Sequence, residues 1–274
     1  MSVRSHDQAL RARDLLRQIA VISSLVFTLV AVLVGVGGLG GTAVENSQGG
    51  ALDSDATYLA PAGPAFSIWS IIYAGLVAYV VWQALPSQRA SERQRALGWW
   101  VALTIVLNGL WLVAAQLLPI WATVIVIFLL LAALCVTFQR AVATRVPGDG
   151  AADAVLLDGV TGLHLGWVTV ASAANVAAWL TEVGPTSWED HAHAWGVAVL
   201  VVLGTLGLGI AWASGWRVTP GLAIGWGAVW LAAGRLLDQP RSEPIGIAAI
   251  IVAAVVVVIP VAVAGLRLLK PQGD

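Results

Sequence analysis

Residues 61–73 of the chain, PAGPAFSIWSIIY, carry no charge and pass from a proline-rich approach into an apolar segment. Phe66, Trp69 and Tyr73 recur in this segment at positions i, i+3 and i+7, which places the three rings on one face of a helix. Membrane helices usually keep aromatic side chains at their ends, whereas Tyr73 lies roughly 10 Å along the helix from Phe66. The stretch therefore predicts the rim and first wall of a pocket inside a helical membrane bundle.

The composition is that of an integral membrane protein. Of the 274 residues, 59% are hydrophobic and 11% are charged, and the mean hydropathy of +0.86 is far above that of soluble domains. The net charge of −1 and the lack of a basic stripe exclude a protein that binds nucleic acid. Cys135 is the only cysteine, so the chain has no intramolecular disulfide, and its apolar surroundings predict a small buried residue.

Eight apolar runs are long enough to cross the roughly 30 Å of hydrocarbon in a bilayer. They cover approximately residues 18–41, 66–85, 98–118, 120–139, 155–180, 194–214, 219–237 and 245–266. The fold class predicted is all-α, a polytopic membrane helical bundle of eight helices. Pro119, between the third and fourth runs, favours a tight turn there over one long merged helix.

The basic residues predict how these helices are oriented. Only Arg235 and Arg241 fall on the side away from the two termini. The other basic residues fall on the side of the termini: Arg4, Arg11, Arg13, Arg17, Arg89, Arg93, Arg95, Arg140, Arg145, Arg217, Arg267 and Lys270. We therefore expect both termini, including an N-terminal arm at residues 1–17, to be cytoplasmic. A cleaved signal peptide is the competing interpretation, but the first apolar run is too long, and Asp7 and Asp14 precede it.

The longest predicted connection, about residues 42–65, follows the first span and is called loop one below. A long loop in an otherwise tight bundle is often a lid, with plain disorder as the alternative. Small residues spaced four apart predict close contacts between helices. They occur at Gly37 and Gly41, Gly162 and Gly166, Gly207, Ala211 and Gly215, and Gly221 and Gly225.

Two further spans carry polar and aromatic stripes at helical spacing. The third span places Trp100, Thr104, Asn108 and Trp111 on one face, and the fifth places His164, Trp167, Ala171, Asn175 and Trp179 on another. An asparagine side chain in hydrocarbon costs free energy unless it is hydrogen-bonded, so both amides should face the bundle interior. Two interpretations stay open, a link between helices and a group that binds a ligand.

The depth of these residues along the helices favours the interpretation that the amides bind a ligand. Rings and amides from the second, third and fifth spans all lie within roughly 15 Å of one surface. An apolar space with a few fixed hydrogen-bonding groups suits a flat hydrophobic ligand, since ring faces give stacking area and amides set orientation. His164 and Asp158 could form a proton relay, although an interior histidine paired with a neighbour is the simpler interpretation.

The motifs of classical catalysis are missing from the sequence. It has no nucleophile with a base, no glycine-rich phosphate loop, no HExxH and no pair of deep carboxylates. The EDHAH segment at residues 189–193 offers two histidines without a second cluster, so no metal site is predicted. We expect neither catalytic residues nor an enzyme.

Taken together, these motifs resemble the TspO/MBR family, the tryptophan-rich sensory proteins that include the translocator protein or peripheral benzodiazepine receptor. The resemblance covers about residues 18–181. It rests on three motifs in order: Pro61, Pro64, Phe66, Trp69 and Tyr73; Asn108 and Trp111; Trp167, Ala171 and Asn175, followed by Trp179. Where the family often has Pro-Tyr before the tryptophan of the fifth helix, this chain has Leu163 and His164.

The resemblance implies a five-helix unit at residues 18–181 that binds a tetrapyrrole, a sterol or a related molecule beneath loop one. The twelve residues expected to bind the ligand are the eleven of these three motifs and His164. No cofactor is required, and a porphyrin or haem would be a ligand. Residues 182–274 would add three helices and a short tail, as in a longer bacterial branch of the family in the inner membrane. The partners expected are the lipid bilayer and a hydrophobic small molecule, with a homodimer left open.

A receptor or sensor is the favoured function. A transporter of a small hydrophobic or amphipathic solute is the first alternative, although repeats and intramembrane charge, which transporters usually show, are not evident. An enzyme that modifies a bound porphyrin is the second alternative and rests on analogy alone.

Overall fold

The computed structural model describes residues 3–146 and 148–269, and in these ranges every regular element is a helix. The eight long helices are α1 Val3–Gly35, α2 Ile68–Ala84, α3 Glu92–Leu117, α4 Ile120–Ala143, α5 Val160–Val183, α6 Ala192–Ala213, α7 Thr219–Leu237 and α8 Glu243–Leu269. Short helical turns cover Val44–Asn46, Gln48–Gly50, Gly63–Ser67, Pro86–Arg89, Asp153–Gly159 and Thr186–His191. The predicted all-α class is confirmed.

Eight helices of the described residues are long and apolar enough to cross a membrane, in agreement with the eight predicted spans. The tight turn between the third and fourth spans is also confirmed, since α3 ends at Leu117 and α4 begins at Ile120. Leu118 is extended there, as expected for a residue that precedes a proline. The fold is therefore a polytopic helical membrane bundle.

The first helix differs from its prediction at both ends. Residues 3–17 of the predicted arm continue α1, and the helix ends at Gly35 rather than near residue 41. The segment VGVGGLGG that follows is dense in glycine, which is unfavourable inside a helix. Gly37 has a φ of +83° and lies in a turn. The helix contact predicted for Gly37 and Gly41 is therefore wrong.

Close packing of α5 against α7 joins the last three helices to the first five. A Cβ atom added at Gly166 would lie 2.2 Å from the backbone oxygen of Pro220, and one added at Gly162 would lie 2.1 Å from Oγ1 of Thr219. The predicted packing role of these two glycines is confirmed. The other main contacts are α1 with α3, α3 with α4, α4 with α5, α7 with α8, and α6 with α8.

Loop one closes one end of the bundle, called the loop-one end below. At the opposite end a buried ion cluster surrounds Asp158, which is 5% exposed. Asp158 accepts hydrogen bonds from Arg93 at 2.5 Å and from Arg145 at 3.2 Å, and Arg93 also donates to Asp153 at 2.9 Å. These contacts fix the base of α5 against α3 and the α4–α5 connection. Cys135, predicted to be buried, is instead exposed on α4.

Candidate functional site

A cavity of about 60 Å³ lies beneath loop one, between α2, α3, α4 and α5. Eight of the twelve residues predicted to bind a ligand line it: Pro61, Phe66, Trp69, Asn108, Trp111, Trp167, Ala171 and Asn175. These residues come from all three motifs of the sequence. The fold therefore brings the motifs to one place.

Aromatic rings form the deeper wall of the cavity. Trp69 stacks on Tyr73 with ring centroids 5.2 Å apart and meets the ring of Trp167 edge-on at 6.2 Å. Phe66, in the turn that precedes α2, meets Trp167 edge-on at 5.8 Å. These stacked and edge-to-face arrangements are favourable for aromatic pairs, so the rings fix one another's orientation.

Both asparagine side chains face the interior, as predicted, since Asn108 is 1% exposed and Asn175 is 4% exposed. The hydroxyl of Tyr73 donates to Oδ1 of Asn108 at 2.8 Å, so α2 is linked to α3. The indole N–H of Trp111 donates to Oδ1 of Asn175 at 3.1 Å, so α3 is linked to α5. The amide oxygens therefore connect helices, and both residues also line the cavity.

The side-chain nitrogens of Asn175 and Asn108 differ in whether they donate a hydrogen bond within the protein. Nδ2 of Asn175 donates to the backbone oxygen of Ala171 at 2.9 Å, within its own helix. Among the hydrogen bonds of the described residues, Asn108 takes part only through its oxygen. The Nδ2 group of Asn108 is thus the amide donor that a ligand in the cavity could use.

Four predicted site residues are not part of the cavity wall. Pro64 is exposed near the end of loop one, and Trp179 is half-buried on α5. Tyr73 lies behind Trp69 and supports both that ring and Asn108. His164 is 1% exposed and packs edge-on against Trp69 at 5.8 Å, and its Nε2 atom has no partner in the described part of the chain. Their role in ligand binding stays a prediction.

Loop one is packed in short turns over the cavity, as a lid would be. Its first half is attached to the end of α3, because Nε2 of Gln48 donates to the backbone oxygen of Ala115 at 2.9 Å. Gln116 and Thr42 exchange hydrogen bonds of 2.6 and 3.2 Å. The second half, defined as residues 54–65, contributes Thr57, Ala60 and Pro61 to the cavity wall.

Sequence analysis missed two groups of residues. Ile127 and Leu130 of α4 line the cavity, but α4 is an almost uniformly apolar run in which nothing marks one face. Arg235 was counted in the sequence only as a basic residue on the side away from the termini, whereas in the last turn of α7 it is 1% exposed and contacts loop one. An arginine inside a membrane helix was the signal that could have singled it out.

Comparison with known proteins gives a match to a family model described as TSPO-like protein, which covers residues 18–262. The matched range contains the five-helix region with the cavity and most of the three helices that follow it. No curated protein and no solved structure matches the chain.

Proposed function

The chain belongs to the TSPO-like protein family, and from this premise we propose that it binds a flat hydrophobic ligand in the cavity beneath loop one. Membership makes it a multi-pass membrane protein of the sensor and receptor type, in a family that is generally not enzymatic. A tetrapyrrole or a sterol is the class of ligand that we propose. No cofactor is needed for this function.

The observation that carries the proposal is the joint arrangement of rings and amides in one wall. Trp69, Trp111 and Trp167 come from three different helices and border the same space, together with Asn108. Ring faces provide stacking area for a planar molecule, and an amide N–H can orient a carbonyl or carboxylate at its edge. Three helices that are already packed hold these groups in place before any ligand binds.

The size of the cavity sets a condition on binding. About 60 Å³ holds a few water molecules at most, whereas pockets for drug-sized ligands measure about 300–1,000 Å³. The helices α3, α4 and α5 are tightly packed, so loop one is the part of the wall that can move. A porphyrin-sized ligand therefore enters only when loop one shifts outward.

Tryptophan fluorescence tests the proposal directly, because three tryptophans border the cavity. Detergent-solubilised protein is titrated separately with protoporphyrin IX, haemin and cholesterol, and quenching or a spectral shift is recorded. We expect saturable quenching by at least one of them. Saturable quenching by none would refute the proposal.

A cavity-filling variant locates the binding site. Ala174 lines the cavity, so Ala174→Phe should weaken binding at least tenfold. Ala132 is exposed on α4, and Ala132→Phe is the matched control that should bind as the wild type does. Equal affinities in the two variants would place the ligand elsewhere.

We also propose that the ion-cluster end and both termini lie in the cytoplasm, with loop one on the other side. The twelve basic residues on the side of the termini support this orientation. Labelling of intact cells with a membrane-impermeant maleimide tests it, with single cysteines at Asn46 and at Ser5 in a Cys135→Ser background. Labelling is expected at position 46 alone.

A further inference from the structure

We propose that α7 holds the second half of loop one closed over the cavity, and that the cavity opens when residues 54–65 separate from this helix. The three C-terminal helices would thereby control access to the site. This inference rests on the proposed function for its meaning, but the contacts behind it and its first test are independent of any ligand.

The strongest contacts between α7 and loop one are the hydrogen bonds donated by Arg235. Its guanidinium group donates to the backbone oxygen of Thr57 at 2.7 Å and to that of Ser54 at 3.2 Å. Hydrogen bonds from a charged donor are stronger than neutral ones, and more so where water is excluded. Arg235 is 1% exposed, and its other acceptor among the described residues is the backbone oxygen of Gln239 at 3.5 Å, so undocking of the loop would leave the buried charge with one long hydrogen bond. The guanidinium group therefore favours the closed loop.

Two tryptophans of α7 hold the end of the loop where it enters α2. The indole N–H of Trp226 donates to the backbone oxygen of Ala65 at 2.9 Å. The backbone N–H of Ala62 donates to the backbone oxygen of Trp230 at 3.2 Å. Trp226 and Trp230 lie one turn apart on α7, and their rings pack edge-on at 5.7 Å.

The loop also contributes a side chain to the core of the last three helices. Leu59 is 8% exposed and belongs to the same apolar cluster as Leu200 of α6, Leu231 of α7 and Ile245 of α8. Tyr58, next to it, packs against the ring of His193 with centroids 4.9 Å apart. Residues 58 and 59 must leave this cluster before Thr57 and Ala60 can move away from the cavity. Docking of the loop and closure of the cavity are thus one event.

The first test measures how often the cavity opens, with no ligand present. In a Cys135→Ser background, Ala178→Cys places a single thiol in the cavity wall at a position that is 4% exposed. We expect Arg235→Ala to raise the rate of alkylation by N-ethylmaleimide at least tenfold. Arg241→Ala, which removes the same charge from an exposed site near the loop-one end, should leave the rate unchanged. Equal rates in all three proteins would overturn the inference.

A disulfide lock provides the opposite perturbation and does not depend on the folding of the Arg235 variant. A Cβ atom at Gly234 would lie 3.6 Å from that of Ala62, within the usual range for a disulfide, about 3.5–4.5 Å. Ala62→Cys with Gly234→Cys should therefore crosslink loop one to α7 on oxidation. Each single-cysteine variant, treated in the same way, is the control.

Oxidation of the double variant should slow the association of protoporphyrin IX at least tenfold, and dithiothreitol should restore the original rate. Unchanged association in a fully crosslinked protein would show that entry does not require separation from α7. If wild-type protein binds no porphyrin, the proposed ligand fails, and the alkylation rates alone decide whether α7 controls opening. The two failures are thus distinguishable.

Discussion

Trp111 and Asn175 are joined across the cavity wall, with the indole nitrogen of α3 3.1 Å from the amide oxygen of α5. The same amide is held from its other side, since its nitrogen donates to the backbone oxygen of Ala171. Both hydrogen-bonding groups of Asn175 are therefore used inside the protein. We therefore expect Asn175 to influence a ligand mainly by holding Trp111, which lines the cavity, in position.

A double-mutant cycle measures this link. Trp111→Phe removes the donor and keeps a ring, and Asn175→Leu removes the acceptor at similar volume. We expect a coupling free energy of about 0.6 kcal/mol and at most about 1.7 kcal/mol, the average and the maximum found for hydrogen bonds between membrane helices. The free energy of unfolding of the wild type, the two single variants and the double variant is measured in mixed SDS and detergent micelles. Additive losses of stability would contradict the link.

Substitutions of Tyr73 and Asn108 can distinguish a role of Asn108 in helix packing from a role in ligand binding. Tyr73 is not part of the cavity wall, so Tyr73→Phe removes the hydrogen bond and leaves the wall intact. Asn108→Leu removes the same bond and also the free Nδ2 donor. If the amide orients a ligand, Asn108→Leu weakens binding of protoporphyrin IX at least fivefold more than Tyr73→Phe does.

Thermal unfolding provides the control for that comparison, since both variants should lose about 1 kcal/mol of stability. Equal losses of affinity in the two variants would indicate that Asn108 serves only to link α2 to α3.

The sequence was sufficient to predict the eight membrane helices and eight of the residues that line the cavity. Apolar runs of membrane length reveal spans directly, and buried amides must face a bundle interior, so the inward orientation of Asn108 and Asn175 followed from their residue type and position. The contribution of α4 could not be predicted. In the run that contains Ile127 and Leu130, lipid and protein favour the same side chains, so nothing distinguishes the face that meets the cavity.

The attachment of loop one to α7 was hidden for a different reason. Arg235 and Thr57 are far apart in the sequence, and the acceptors are backbone oxygens, which every residue carries. The pattern of side chains in the sequence therefore cannot predict such a contact. The same holds for the bond from Ala62 to the backbone of Trp230.

Breaking the ion cluster at the end opposite loop one should destabilise the protein. Removing one partner of a buried pair leaves an uncompensated charge, which costs about 3–5 kcal/mol. Because Asp158 keeps Arg145 as a second partner, we expect Arg93→Met to cost about 2–3 kcal/mol, which is slightly less than that range. Arg13 is exposed, and Arg13→Met should change stability by less than about 0.5 kcal/mol.

Adding Asp158→Asn to Arg93→Met tests whether an unpaired charge causes that loss. Part of the stability should return, because a neutral amide replaces the buried carboxylate that lost its Arg93 partner. Further destabilisation by the second substitution would show instead that the contacts of Arg145 with Asp158 dominate the cluster.

Alanine substitutions at two glycines can distinguish the effect of helix propensity on stability from the effect of close packing between helices. Gly166 faces α7 so closely that a methyl group would meet the backbone oxygen of Pro220 at 2.2 Å, whereas a methyl group at Gly209 of α6 would have no neighbour within 4 Å. Backbone atoms cannot give way as a flexible side chain can, so Gly166→Ala must push α5 and α7 apart. We expect it to cost about 1–3 kcal/mol, while Gly209→Ala should be neutral or stabilise by up to about 1 kcal/mol. Unfolding of the two variants in the same micelles measures the difference. A loss confined to Gly166→Ala would confirm the close contact of α5 with α7, and equal effects would refute it.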